Sequence, residues 1–313
     1  MTKLRLFQEF IAIMLRGTLL PVLAREVLQK NKVTIITYHQ VEAPLFEKHL
    51  LYLLKRYSII ALDDFIRAWY RRNLKVLPAR SLIITFDDGA RTNHSLKETL
   101  QKYHVPATIF ACAGIIGTNR HFWFTYRRRV QADIKRISDF ERLQQLEKIG
   151  FKEFNEYDNA QALSDEEALE LLKAGVSIQS HTLTHPILPN CDDVKAEKEI
   201  SLSKSSLQRK FGMPVICLAF PNGDYSPRDI GFCRKTGYLA AVTMDPGFND
   251  GHSDIYRLKR ISIHDQASVN QLAVRASGVW GFARQMLLNS RPGFVFNQTV
   301  RRDKEYIREG AKF

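Results

Sequence analysis

Ser164-Asp165-Glu166-Glu167-Ala168, continuing through Gly175-Val176-Ser177-Ile178-Gln179-Ser180 to His181, contains a helix start, a helix stop and a strand in close succession. Ser164 and Glu167 have capping-box spacing: the serine hydroxyl accepts the Glu167 N–H while the glutamate reaches back to the serine N–H. Ala168, Leu171 and Leu172 then supply one apolar helical face. Gly175 stops the helix because it adopts the left-handed conformation without a Cβ penalty. Val176–Ser180 reads as a buried strand that delivers His181 at its C-terminal end. In parallel α/β sheets and barrels, that end is where catalytic groups assemble.

The same alternation extends along the chain. Val33–Tyr38, Leu82–Phe86, Ala107–Ala111, Val215–Phe220, Leu239–Thr243 and Leu258–Ile263 are short runs, often apolar at consecutive positions, as parallel strands covered on both faces require. Amphipathic helical patterns lie between them at Phe46–Tyr57, Leu62–Arg72, Leu96–His104 and Val194–Phe211. Strand followed by helix, repeated, predicts an α/β fold with a parallel sheet, open or closed into a barrel.

The chain has 313 residues, is 45% hydrophobic and carries a formal charge of +13. Such composition excludes a disordered or fibrous chain. No uncharged apolar run reaches the ~20 residues that span a bilayer. The positive charge favours anionic partners such as acidic lipid headgroups or phosphorylated and uronate-bearing glycans. No zinc-finger spacing or RNA-binding aromatic signature is present, so a nucleic-acid partner is not expected. Cys112, Cys191, Cys217 and Cys233 lie far apart without a Cys-x-x-Cys pair, the pattern of a reducing compartment, which points to the cytoplasm.

Residues 1–30 read as an amphipathic helix, since Glu9, Arg16, Arg25 and Glu26 interrupt any secretory core. Packing on the domain is favoured over lying on an anionic membrane surface, where the protein would be peripheral to the inner face. The barrel is expected over 31–276, with an insertion at about 116–163 and a charged C-terminal extension at 277–313. The insertion contains His121-Phe122-Trp123-Phe124-Thr125-Tyr126 followed by Arg127-Arg128-Arg129. Its aromatics are expected mainly to anchor it to the core; the other reading is a surface that stacks on sugars and holds anionic groups.

Three strand ends carry chemistry. Thr85-Phe86-Asp87-Asp88-Gly89 places two carboxylates at one strand end, where Gly89 lets both approach one site. Their mutual repulsion is relieved if one binds a cation and the other stays free as a base. Ser180-His181-Thr182-Leu183-Thr184-His185 brings two imidazoles four residues apart. Two histidines and an aspartate make a three-ligand set for Zn²⁺ or a similar divalent metal, leaving open positions as a catalytic site requires. Histidine ligands disfavour Mg²⁺ and Ca²⁺. Ala219-Phe220-Pro221-Asn222-Gly223 forms a tight turn that aims the Asn222 N–H at a developing oxyanion.

Together and in this order, these segments resemble the polysaccharide deacetylase family, the fourth family of carbohydrate esterases, over about Lys32 to Asp265. The resemblance implies a distorted (β/α) barrel of seven or eight strands, here with an inserted helical and aromatic segment and an N-terminal helix. It implies that Asp87 is the general base and that Asp88, His181 and His185 hold the metal. Ala219 stands where the family's third motif often has a base-orienting arginine, and the fourth-motif tryptophan is not evident near Thr243-Met244-Asp245. The Ala-Phe-Pro-Asn-Gly form is similar to the branch associated with exopolysaccharide synthesis and poly-N-acetylglucosamine deacetylation. Two histidines compete as general acid. His264, in Ile263-His264-Asp265, resembles the fifth motif, and His39, in Tyr38-His39-Gln40-Val41, resembles a segment of the exopolysaccharide branch; His39 is preferred. The expected activity is metal-dependent N-deacetylation of a polysaccharide or lipid-linked glycan. The alternatives are a degenerate glycan- or membrane-associated module of the same fold and a metal hydrolase acting on another amide or ester.

Overall fold

The structure is a computed structural model and describes residues 3–130 and 133–281. Most of the expected C-terminal extension, from 282 onward, lies outside the described residues. Eight strands are present: β1 (Thr34–Tyr38), β2 (Ser58–Ile59), β3 (Ser81–Phe86), β4 (Ala107–Ala111), β5 (Val176–Ser180), β6 (Cys217–Ala219), β7 (Ala240–Val242) and β8 (Ile261–Ser262). They run in the order β7-β6-β5-β4-β3-β1-β8, with β2 on β3, and every pairing is parallel. Leu258, just before β8, bridges Val242 of β7 in parallel and joins the two ends of the row. This is the distorted (β/α) barrel, closed by a single residue where a full strand pair would otherwise stand.

The continuous apolar strands follow from burial on both faces. Ile35, Ile83, Phe110, Cys217, Ala219, Val242 and Leu258 belong to one buried cluster. Their sequence neighbours Ile36, Ile84, Ile109 and Leu218 belong to a larger cluster that includes helical residues such as Leu50, Leu171 and Leu207. Strand period two therefore divides each run between a barrel filling and a helix-covered layer.

The capping box at Ser164 forms as read: Glu167 N–H donates to Ser164 Oγ at 3.1 Å and Ser164 N–H to Glu167 Oε2 at 2.9 Å. The helix runs Asp165–Lys173, and Gly175 has φ +86°. Several boundaries differ from expectation. β6 pairs over only three residues, because Pro221 ends it and has no N–H for the ladder. The first part of Leu96–His104 is entered from a 3₁₀ turn, Arg91–Leu96, before the helix Lys97–Lys102. The two-residue β2 is too short for any periodicity to reveal.

The N-terminal segment is not one helix. It runs Lys3–Gly17, breaks, and continues over Leu20–Leu28 at 68°. Among the described residues, no single helix is long and apolar enough to cross a membrane. The insertion forms a small cluster of its own from Trp123, Ile134, Leu146 and Phe151.

Candidate active site

Asp87 directly follows β3 and continues the inward register of Ile83 and Thr85. Its N–H still donates to the Tyr38 carbonyl of β1 at 2.9 Å. Asp88, one residue on, would face outward in a regular strand, but its φ of +74° turns the chain. Gly89 continues the turn at φ +73°, and a Cβ there would lie 2.8 Å from the Ala111 Cβ. The left-handed pair brings both carboxylates to one site. Asparagine and aspartate tolerate this region better than most residues, and glycine tolerates it best.

His181 follows β5, and its ring Nδ1–H donates to the Ala219 carbonyl at 2.8 Å. That bond directs Nε2 inward, 3.5 Å from Asp88 Oδ1. Thr182 and His185 both have φ +65°, so the His-Thr-Leu-Thr-His segment curls back. His185 Nε2 reaches the same Asp88 oxygen at 3.4 Å. The loop is held by the His185 N–H on Thr182 Oγ1 at 3.1 Å and by Trp123 Nε1–H on the His185 carbonyl at 2.7 Å. One ligand atom from each of Asp88, His181 and His185 lies within 4.8 Å of the others, and all three residues are buried.

This cluster suits a divalent cation. Among the described residues, no lysine or arginine pairs with Asp88, and the buried Nδ1 of His185 has no partner. Burial, followed by the like charge of His181, pushes His185 down to about 3, keeping its imidazole neutral as a ligand must be. Two nitrogens and one carboxylate oxygen form a donor set of zinc type.

Asp87 stands apart from that set and belongs to Arg260. The Arg260 guanidinium donates in a fork, Nη1–H to Oδ1 at 2.7 Å and Nη2–H to Oδ2 at 2.8 Å. Its Nε–H donates to the Thr243 carbonyl at 2.8 Å, and Nη1 lies 3.2 Å from Thr37 Oγ1. Arg260 is fully buried inside the barrel beside Phe110. Burial would raise the Asp87 carboxyl, but the Arg260 charge, with His181 and the paired hydrogen bonds, holds it well below the carboxylate range. Asp87 is therefore ionised at any working pH and fixed in orientation.

The cleft above these groups has a volume of about 490 Å³. His39 lines it, held by its N–H on Asp265 Oδ1 at 2.9 Å and its carbonyl on Asn93 Nδ2 at 2.7 Å. Asn222 also lines it from a turn at φ +59°. His264 does not. It is exposed, and its Nδ1 accepts the Gln266 N–H at 3.1 Å. Of the two candidate acids, the fold brings only His39 to the cleft. The aromatic insertion is anchored as expected, with Phe122 and Trp123 buried; Trp123, Phe124 and Arg127 also line the cleft.

Sequence reading missed three groups. Arg260 interrupts the run Leu258–Ile263, and an arginine in a buried strand was the available signal. Glu199 shares the buried face of the helix Asp193–Phe211 with Ala196, Ile200, Ser203 and Leu207. A carboxylate in that apolar stripe marks a polar contact, and it accepts the Leu183 and Thr184 N–H groups at 2.9 and 2.8 Å and the Thr184 hydroxyl at 2.6 Å. Burial raises it to about 7 despite these donors. Lys135, at the cleft, carried no signal of its own. Because Glu199 fixes the loop between the two histidines, Glu199→Ala is expected to weaken Zn²⁺ affinity by ~10–100-fold. Competition of the metal-free protein against a chromophoric chelator measures this, and unchanged affinity would make Glu199 a bystander.

A family model described as polysaccharide deacetylase matches residues 74–241, more than half the chain. That range includes Asp87, Asp88, His181 and His185 but stops short of Arg260. YxkH of Bacillus subtilis (strain 168), named for the same family, is 25% identical over 185 residues, covering 59% of this chain and 52% of that protein. A poly-beta-1,6-N-acetyl-D-glucosamine N-deacetylase of Staphylococcus epidermidis is 26% identical over 211 residues, covering 67% of this chain and 63% of that one. The chain thus spans between half and two thirds of these curated relatives. Among solved structures, the Streptococcus pyogenes deacetylase PplD in complex with acetate has a TM-score of 0.59 at 21% identity, over 78% of this chain and 98% of that one, which supports the fold.

Proposed function

Because the chain belongs to the polysaccharide deacetylase family, we propose that it is a metal-dependent N-deacetylase acting on N-acetylated sugars of a polysaccharide or lipid-linked glycan. The observation that carries this reading is a buried Asp88–His181–His185 cluster beside a second carboxylate, Asp87, that is not part of it. The Staphylococcus epidermidis relative, a poly-N-acetylglucosamine deacetylase by name, supports the substrate class. The degenerate-module alternative rests on Ala219 in place of an arginine and on the fourth-motif tryptophan not evident near Thr243-Met244-Asp245. Arg260 reaches the same carboxylate from another part of the chain, which weakens the first of these grounds.

Asp88, His181 and His185 would hold the ion, and Zn²⁺ fits them best. When bound, the ion supplies positive charge beside the acetamido oxygen and makes a neighbouring water more acidic. Asp87, ionised and clamped by Arg260, takes the proton of that water as it attacks the acetamido carbon. The Asn222 N–H donates to the oxygen as its charge develops. His39, which also lines the cleft, gives a proton to the departing amine. The products are acetate and a free amino sugar. A cytoplasmic location belongs to the same proposal, supported by Cys112, Cys191, Cys217 and Cys233, each buried as a free thiol.

The test is acetate release from a panel of N-acetylated oligosaccharides and O-acetylated controls, with and without a chelator. The expected result is release from N-acetylated substrates that stops on chelation and returns with Zn²⁺. No release from any acylated glycan by the metal-loaded protein would overturn the proposal, and release from esters alone would move it to an esterase.

The outer wall of the cleft carries Arg127 and the half-buried Lys135, whose ammonium donates to Asn222 Oδ1. Among the described residues, no carboxylate lies within ion-pair range of Lys135, and burial together with the Arg127 charge lowers its pKa. Two cations at the cleft, neither in an ion pair among the described residues, favour an acidic group next to the acetamido sugar. With Lys135→Gln, KM for a uronate- or phosphate-bearing substrate is expected to rise about tenfold, with kcat and the KM of a neutral oligosaccharide nearly unchanged. Equal changes for both substrates would contradict the charge role.

A further inference from the structure

The helix Lys3–Gly17 meets the barrel with its polar edge. Glu9 accepts from Ser268 Oγ at 2.6 Å and Asn270 Nδ2 at 2.8 Å, and Arg16 donates to Asn270 Oδ1. Ala12 is buried at this contact. The apolar stripe of the same helix, spaced three and four residues apart, faces solvent: Phe7, Phe10 and Met14 are 60%, 61% and 59% exposed. Beyond the bend the pattern repeats, with Leu23, Val27 and Leu28 at 53%, 68% and 60%. An ordinary surface helix is oriented the other way. A continuous apolar surface of this kind marks a binding face.

The charges around it select the partner. Residues 1–32 contain six lysines and arginines and only two acids, Glu9 and Glu26. Glu9 is turned into the barrel contact, and Glu26 is paired with Arg25 at 2.8 Å and Arg80 at 3.1 Å. The adjoining helix Ala43–Leu54 adds exposed Leu51 and Leu54, and its Tyr52 ring lies beneath both Arg16 and Arg56, at 5.3 and 4.1 Å. The face is therefore apolar with a cationic border. Two copies meeting through it would bring like charges together.

We propose that this face is an interfacial anchor for an anionic phospholipid bilayer, with the bent pair lying in the headgroup–acyl boundary. The helix Lys3–Gly17 alone rises roughly 22 Å, short of the ~30 Å hydrocarbon core. The 68° bend keeps Leu20–Leu28 from extending it along one axis, so the pair is placed on the membrane and not across it. The apolar side chains enter the acyl boundary while Arg16, Arg56 and their neighbours meet the headgroups. This goes beyond the hydrolytic reading and stands without it.

The full chain is tested by flotation with phosphatidylcholine vesicles containing phosphatidylglycerol, with phosphatidylcholine vesicles alone, and by sedimentation without lipid. The expected result is binding to the acidic vesicles, weakened at least about tenfold by Phe10→Glu with Val27→Glu and by raised salt. Both substituted positions are exposed, so the variant should keep the wild-type melting temperature; a second variant, Arg56→Gln, should weaken acidic-vesicle binding without touching the apolar face. Unaltered binding by the folded double variant would overturn the proposal. Equal binding to neutral vesicles, or a lipid-free dimer that the double variant dissolves, would overturn it too.

Discussion

Asp87→Asn is expected to bind Zn²⁺ with wild-type affinity yet release acetate ~10²–10⁴-fold more slowly, the usual contribution of a positioned general base. Affinity is expected to persist because Asp88, His181 and His185 form the ion cluster without Asp87. The rate is expected to fall because an amide oxygen cannot take the proton of the attacking water. The substitution also leaves the buried Arg260 guanidinium facing a neutral group, which destabilises the fold. Acetate release and metal content should therefore be measured well below the variant's unfolding midpoint. Full activity with metal bound would remove Asp87 from the mechanism, and loss of metal would place it among the ligands.

Arg260→Met should have the largest effect on stability. It leaves the Asp87 carboxylate buried with its strongest partner gone, and breaking a buried pair in this way typically costs about 3–5 kcal/mol. Urea unfolding measures the loss. Adding Asp87→Asn to Arg260→Met should recover part of it, because no buried charge is then unpaired. Catalysis should change in a distinctive direction. With Arg260 gone, desolvation dominates and the Asp87 pKa rises. The base must be ionised to work, so the acid limb of the rate profile should move to higher pH. Arg260→Lys keeps the charge but not the fork and should fall between the two. An unshifted acid limb in Arg260→Met would show that Arg260 supports the barrel and not the base.

The parts of the molecule legible in the sequence are those set by local rules. The Ser164 capping box, the Gly175 stop and the doubly buried runs each depend on near neighbours, and each appears in the structure. The Asp-Asp-Gly and His-x-x-x-His segments were legible because each packs its chemistry into five residues. Arg260 was hidden because its partner is 173 residues away in sequence, and only the pairing of β1 with both β3 and β8 brings the two together. Glu199 was visible as a charge in an apolar stripe, but nothing local said what it held. The N-terminal segment was legible only in part. Amphipathicity shows that a helix has two faces, while the side chains of Ser268 and Asn270 decided which one turned inward.

The seam that closes the barrel sets an order of events during synthesis. In chain order both carboxylates and both imidazoles precede Arg260, so a ribosome makes the cluster residues before the guanidinium that clamps Asp87. Translation past Leu258 supplies both the residue that bridges to β7 and, two positions on, the partner of Asp87. The carboxylate proposed as base therefore gains its clamp only after both imidazoles of the cluster have been made.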